Sequence, residues 1–183
     1  MNWFKRTSLA EINRISARGR QIGTDTHLAI EHFILTGKAE IETQYAEEVV
    51  NALNSFMLFR KERTDIILEK SEMALTSQEH LFNGQIDCLG KKDNEIWLLD
   101  WKSQDCKEKE RPIIYDEAKI QTSAYAHLVK ECKDINIDKV LIVAVAKNKV
   151  AYNIYEMDKK EIAEWFNEVF LPLLKIWNYR KKK

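Results

Sequence analysis

Two carboxylates and an amine stand near the middle of this 183-residue chain: Asp87, then Asp100 and Lys102, with twelve residues between the aspartates. Side chains alternate faces along an extended strand, so Asp100 and Lys102 would share a side with Cα atoms ~6–7 Å apart. The surrounding stretch reads as a β-hairpin. Its first strand covers Leu81–Leu89, a polar turn covers Gly90–Asn94, and a second strand covers Glu95–Lys102. On the second strand Ile96, Leu98, Asp100 and Lys102 face one way, and Trp97, Leu99 and Trp101 the other. On the first, Gln85, Asp87 and Leu89 share a face. Hairpin pairing then sets Asp87 beside Asp100. Charged groups are seldom buried unless paired or bound to metal, and two close carboxylates repel until a proton or a cation relieves them. A hard cation with oxygen ligands, Mg²⁺ or Mn²⁺, suits such a pair, and the neighbouring lysine offers a point charge to a phosphate. The plain alternative is a surface hairpin with one salt bridge, since Asp-x-Lys alone is a common tripeptide.

Gly84-Gln85-Ile86-Asp87, followed by Leu98-Leu99-Asp100-Trp101-Lys102-Ser103, resembles the signature of the PD-(D/E)XK nucleases, in the form carried by the RecB-like exonuclease branch. Two further segments resemble the same branch: Gly23-x-x-x-His27 on an early helix and Gln121-x-x-x-Tyr125 on the helix after the hairpin. Together they span about residues 18–155. The resemblance implies an α/β three-layer, restriction-endonuclease-like fold with a mixed central sheet flanked by helices and an αβββαβ core. It implies that Asp87 and Asp100 hold Mg²⁺ or Mn²⁺, joined by the main-chain carbonyl of Trp101 and by His27. Lys102 completes the catalytic set, and Gln121 and Tyr125 face the site and hold the DNA. An acidic residue on the preceding strand can assist in this family, and Glu72, fifteen residues before Asp87, is the better match. The implied activity is metal-dependent hydrolysis of DNA phosphodiester bonds by an exonuclease, in recombination, repair or phage DNA processing. The partner is a single strand or a duplex end, with a helicase, an annealing protein or a second copy as associates. Asp stands at position 100 where the pattern also allows Glu. Some relatives in the branch carry a four-cysteine iron–sulfur cluster; Cys88, Cys106 and Cys132 are too few and too widely spaced for one, so none is expected.

The elements that must position these residues follow from composition and periodicity. With 45% hydrophobic and 32% charged residues, five Gly and two Pro, the chain reads as one globular α/β domain over residues 1–183, with basic ends at 1–20 and 179–183 expected to be the flexible parts. The N-terminus has no signal-like apolar run, and no segment is apolar enough to span a membrane. Three widely spaced cysteines, an odd number, suggest a reducing compartment, with Cys88 in the core; the resemblance adds the expectation of the cytoplasm of a bacterial or phage-infected cell. A short helix is expected over Ser8–Arg18, then a turn bracketed by Gly19 and Gly23, then a helix capped by Thr24 or Asp25 and stopped by Gly37, with His27 and Glu31 on one face. Ala39–Lys61 is a packing helix, Thr64–Leu75 opens the sheet, and Tyr115–Cys132 carries Gln121 and Tyr125 one turn apart. The charged stretch Gln104–Arg111 reads as a mobile, solvated loop. Lys139–Ala146, with the unbroken apolar run Val140–Val145, is a strand buried on both faces, hence central, and Val150–Tyr155 is its edge partner. Asp158 caps a final helix that Pro172 should kink or split.

Net charge is zero, which is low for a nucleic-acid binder, although Lys5, Arg6, Arg14, Arg18 and Arg20 gather near one end and Arg180–Lys183 at the other. Three other readings stay open: an endonuclease on the same fold, a nucleic-acid-binding module without catalysis, and a metal-binding protein without nucleic acid. In the last, His27 and Glu31 form a zinc-like pair that no second His or Cys cluster completes. His32, His80 and His127 carry no chemistry in the sequence.

Overall fold

In the computed structural model, which describes residues 8–39 and 46–181, helix α1 (Leu9–Thr36) and helix α2 (Glu47–Glu62) precede three strands, β1 (Ile67–Thr76), β2 (Asn83–Lys92) and β3 (Glu95–Gln104). Helix α3 (Asp116–Lys133) leads to β4 (Lys139–Ala146) and β5 (Tyr152–Asp158). Helix α4 (Lys159–Glu164) then widens into a π-helical turn (Trp165–Phe170) before α5 (Leu171–Lys181). The strands lie in the order β1-β2-β3-β4-β5. Only β3 and β4 run parallel, joined by the α3 crossover; the other pairs are antiparallel.

The apolar run of β4 sits between β3 and β5, buried along seven of its eight residues, and β5 forms the edge, as the pattern predicts. Alternation along β3 sorts the core into two layers. Trp97, Leu99 and Trp101 pack with Phe56 and Phe59 of α2 and Ile30 of α1, whereas Leu98 packs with Ala118, Leu128 and Val129 of α3 and Ile162 of α4. The expected three-layer arrangement is therefore present, with α1 and α2 on one face and α3 and α4 on the other, α5 packing on the π turn.

Three expectations change. Residues 9–36 form one helix rather than two with a turn between. Ser8 caps it by accepting from the Glu11 N–H, and Gly37 ends it in the left-handed region at φ 71°. Gly19 and Gly23 lie inside it at a cost of about 1 kcal/mol each, offset by burial of Ile22, Thr26, Ala29 and Ile30. Thr24 and Asp25 are therefore mid-helix, and Asp25 accepts from Gln21 Nε2 instead of capping. The hairpin turn is shorter than expected, because β2 continues through Gly90 to Lys92. A side chain at Gly90 would meet the Ile67 carbonyl oxygen at 2.8 Å, so only Gly lets β1 approach there. The loop after β3 is tethered, not free: Lys149 Nζ donates to the carbonyls of Lys107, Glu108 and Glu110, and Asn148 bonds both the N–H and the carbonyl of Cys106. At Pro172 the helical run continues, but a π turn interrupts the regular α-helix immediately before it. The wider π turn immediately before it re-pairs the backbone, with the Leu171 N–H reaching the Phe166 carbonyl. Residues 1–7, 40–45 and 182–183, which hold parts of the expected basic ends and of the packing helix, lie outside the described residues.

Candidate active site

The site is built where β2 leaves β3. Their ladder runs from Lys92 opposite Glu95 to Cys88 opposite Leu99 and stops. Beyond it β3 continues against β4, with Trp101 opposite Val143, and β2 continues against β1. In the fork, the Trp101 N–H donates to Asp87 Oδ2 at 2.8 Å. A side-chain oxygen thus takes the next rung of the ladder, which satisfies a buried N–H that would otherwise cost about 1–3 kcal/mol. The pleat of β2 is interrupted at the same place. Ile86 and Leu89 both pack toward α3 while Cys88 packs toward α2, so the expected common face for Gln85, Asp87 and Leu89 does not hold.

Asp87 and Asp100 are 7% and 1% exposed. Both Asp100 oxygens are buried without a hydrogen-bond partner; Lys102 Nζ forms an ion pair with Oδ2 at 2.6 Å, which leaves Oδ1 outside that contact. On the other side of the fork, His27 Nδ1 of α1 lies 3.3 Å from Asp87 Oδ1. Glu72 stands across from Asp87 on β1, between the pairs Ser71–Cys88 and Met73–Ile86. Its φ of 51° puts a glutamate in the left-handed region, at a cost of about 1–3 kcal/mol that the surrounding structure must offset. Its carboxylate accepts from Gln85 Nε2. One ligand atom each from His27, Glu72 and Asp87 lie within 4.8 Å of one another.

Gln121 and Tyr125 reach the same cleft from α3, with Gln121 Nε2 donating to Tyr125 Oη. Gly84 makes room for this: a Cβ there would lie 2.5 Å from Tyr125 Cε1. The Trp101 side chain points away into the α2 layer, edge-on to Phe56 at 5.1 Å, so the backbone of Trp101 is its part in the site. The cleft, about 600 Å³, also takes in Arg20, Thr24, Leu28, Glu31 and Gln85. Arg20 and Gln85 carry no chemistry in the sequence reading. Arg20 becomes legible only once α1 is one helix, where it lies on a stripe with Thr24, His27 and Glu31 at spacings of three and four. An apolar groove of about 450 Å³ opens beyond Lys102 and Gln121, lined by Ile113, Ile114 and Tyr115.

Electrostatics follow from this crowding. Burial pushes the Asp100 carboxyl up to about 6, with Lys102 pulling the other way and Asp87 adding to the rise. Burial works against the Lys102 ammonium, but the Asp100 and Asp87 carboxylates outweigh it and hold its pKa above the usual value. His27 behaves alike: burial opposes its charge, and Asp87 carries the pKa upward. Burial raises Glu72, with Asp87 and Glu31 adding to it and His27 opposing. Burial also raises Tyr125, and the Cys88 thiol, deep in the core, is pushed up to about 12. Carboxylates held above their ordinary range around an orphaned oxygen form a cage short of positive charge. With oxygen donors and one imidazole, it fits a hard divalent cation.

A sequence model of the PD-(D/E)XK nuclease superfamily matches residues 3–176. The mitochondrial genome maintenance exonuclease 1 of Xenopus tropicalis is 28% identical over 172 residues, which cover 88% of this chain and 45% of that protein. The chain therefore spans less than half the length of that relative. A crystal structure of a phage-related exonuclease from Haemophilus somnus 129PT is similar at 14% identity, covering 82% of each chain with a TM-score of 0.39.

Proposed function

The chain belongs to the PD-(D/E)XK nuclease superfamily, and from that premise we propose that it is a metal-dependent deoxyribonuclease of the RecB-like kind, a single domain that degrades DNA from an end. The observation that carries the reading is the buried fork, in which Asp87, Asp100 and Lys102 converge with one Asp100 oxygen unpartnered. Asp87 and Asp100 would hold Mg²⁺ or Mn²⁺, with His27 and the Trp101 carbonyl as further ligands and Glu72 as an accessory one. Once bound, such an ion polarises the scissile phosphate and lowers the pKa of the attacking water.

The remaining work falls to the chain. Lys102 keeps its proton at neutral pH, since its pKa lies above the ordinary value. It presents fixed positive charge to the pentavalent transition state, where such charge is worth more than in water because it needs no reorganisation. The Trp101 N–H holds one Asp87 oxygen in place and leaves the other toward His27. Gln121 and Tyr125 position the strand from α3. The apolar groove beside Gln121 suits the face of a base next to the cleaved bond. Arg20, at the α1 rim of the cleft, suits a neighbouring phosphate.

The exonuclease assignment draws on the name of the Xenopus relative, and its roles in repair, recombination or phage DNA processing belong to the same proposal. A cytoplasmic setting in a bacterial or phage-infected cell suits the free thiols of Cys88, Cys106 and Cys132. A helicase, an annealing protein or a second copy would supply processivity.

The test is cleavage of end-labelled linear duplex, closed circular duplex and single-stranded DNA with Mg²⁺, Mn²⁺ or EDTA, with Asp100→Ala alongside. Metal-dependent loss of linear DNA that the variant lacks is the expected result. Cutting of closed circles would replace the exonuclease with an endonuclease, and a folded protein inert on all three substrates would remove the catalytic reading.

A further inference from the structure

A second cluster of metal-ligating side chains lies on the far side of α3 from the fork. His80, in the β1–β2 connection, and His127, on α3, come together with ring centroids 5.1 Å apart. Both meet Phe166 of the π turn: His127 stacks on it at 4.1 Å, and His80 meets it edge-on at 5.7 Å. Glu79 Oε1 lies 3.5 Å from His80 Nε2, and one ligand atom each from Glu79, His80 and His127 lie within 4.8 Å of one another. Glu131, one turn beyond His127, is held by its other oxygen: Oε1 accepts from the Gln78 and Glu79 N–H groups at 2.7 and 3.2 Å. That leaves Oε2 aimed at His127 Nε2 across 3.7 Å, too far for a hydrogen bond.

The independent sign of a ligand is in those two atoms. His127 Nε2 and Glu131 Oε2 are both buried and neither has a hydrogen-bond partner. Buried polar atoms without partners cost about 1–3 kcal/mol each, and here two of them face one another in a spot already furnished with a second imidazole and a second carboxylate. A cation between them would satisfy both. Ligand atoms around a tetrahedral zinc ion lie roughly 3.3–3.5 Å apart, given bond lengths near 2.0–2.1 Å. The Glu79–His80 spacing is at that value, and the His127–Glu131 spacing is a few tenths beyond it. Two imidazoles select a transition metal over Mg²⁺, the reverse of the oxygen-rich fork.

We infer that Glu79, His80 and His127, whose ligand atoms already lie together, form a structural zinc site separate from the catalytic centre, with Glu131 Oε2, beside His127, drawn in as the fourth ligand when the ion binds. Its place gives it a role. It ties the connection that enters β2, the strand of Gln85 and Asp87, to α3, the helix of Gln121 and Tyr125, with Phe166 as a backing plate. With Glu131 drawn in, four protein ligands would leave no position for water or substrate, which marks the site as structural rather than catalytic.

The experiment uses the full chain carrying His27→Ala and Asp100→Ala, which strips the fork of its nitrogen ligand and its deepest carboxylate. After chelation, zinc is titrated in excess Mg²⁺, followed by calorimetry and thermal unfolding, and cobalt is titrated separately for its visible spectrum. One equivalent of zinc, a raised unfolding midpoint and the intense visible bands of tetrahedral cobalt are expected. Glu131→Gln in this background should weaken zinc by about 10–100-fold, and His80→Ala should remove the midpoint shift. Because His127 stacks face-on against Phe166 while His80 meets it only edge-on, His80→Ala disturbs the packing less and serves as the decisive variant. No zinc uptake by the double variant, or uptake and a midpoint shift that survive His80→Ala, would overturn the site.

Discussion

Asp100 couples the chemistry of the fork to pH. Its carboxyl is pushed up to about 6 by burial, so at lower pH it carries a proton that any cation must displace. His27, raised by Asp87, adds a second such proton. Mn²⁺ affinity should therefore rise with pH by about tenfold per unit through the Asp100 range near 6 and keep rising above it until His27 has lost its proton; calorimetric titrations from about pH 5 to about pH 8 will show this. Affinity that stays flat across that range would mean Asp100 is not a ligand. Lys102 gives a different signature. Lys102→Ala should cost about 10²–10³ in kcat with little loss of metal affinity, because the lysine acts on the phosphate and repels rather than binds the ion. Arg20 bears on binding alone: Arg20→Ala should flatten the dependence of log affinity on log salt by about one, with turnover at saturating DNA unchanged.

At the scale of elements, the contact between β2 and α3 sets the position of Gln121 and Tyr125. Gly84 lies against the Tyr125 ring, and an added methyl would come within 2.5 Å of it. Gly84→Ala should destabilise by about 1–3 kcal/mol in urea unfolding and raise KM for DNA more than it lowers kcat, because the aromatic ring moves while the fork stays. Strand periodicity made much of this readable. The eight residues of β4, the two faces of β3, and α3 to within a residue at each end all follow from runs and alternation. What escaped depends on contacts distant in sequence. Two glycines suggest a break in α1, yet its buried stripe against α2 and the sheet outweighs their cost. Nothing local announces a left-handed Glu72 or the lapse of alternation around Asp87, since both arise where two ladders part. His80 and His127, unremarkable in the sequence, meet only because the β1–β2 connection folds onto α3.

For the whole molecule, balanced charge carries its own prediction. With no net charge and two basic side chains, Arg20 and Lys102, lining the cleft, the salt slope for duplex DNA should be shallow, roughly −2 from about 0.9 per phosphate contact. Part of the basic surface read from the sequence is already engaged: Arg14 pairs with Glu11 and Arg18 with Glu48. Among the described residues no helix is long and apolar enough to cross a membrane. The division of the sheet into two wings meeting at Trp101 has one more consequence. The amide proton of Trp101 is shared with the carboxylate proposed to take the cation, so drawing electron density from Asp87 weakens its hold on that proton. In a nitrogen-15 spectrum this resonance should sit at unusually low field in the free protein and move upfield on titration with diamagnetic Mg²⁺. A single backbone nucleus would thus read out occupancy of the site without substrate or turnover.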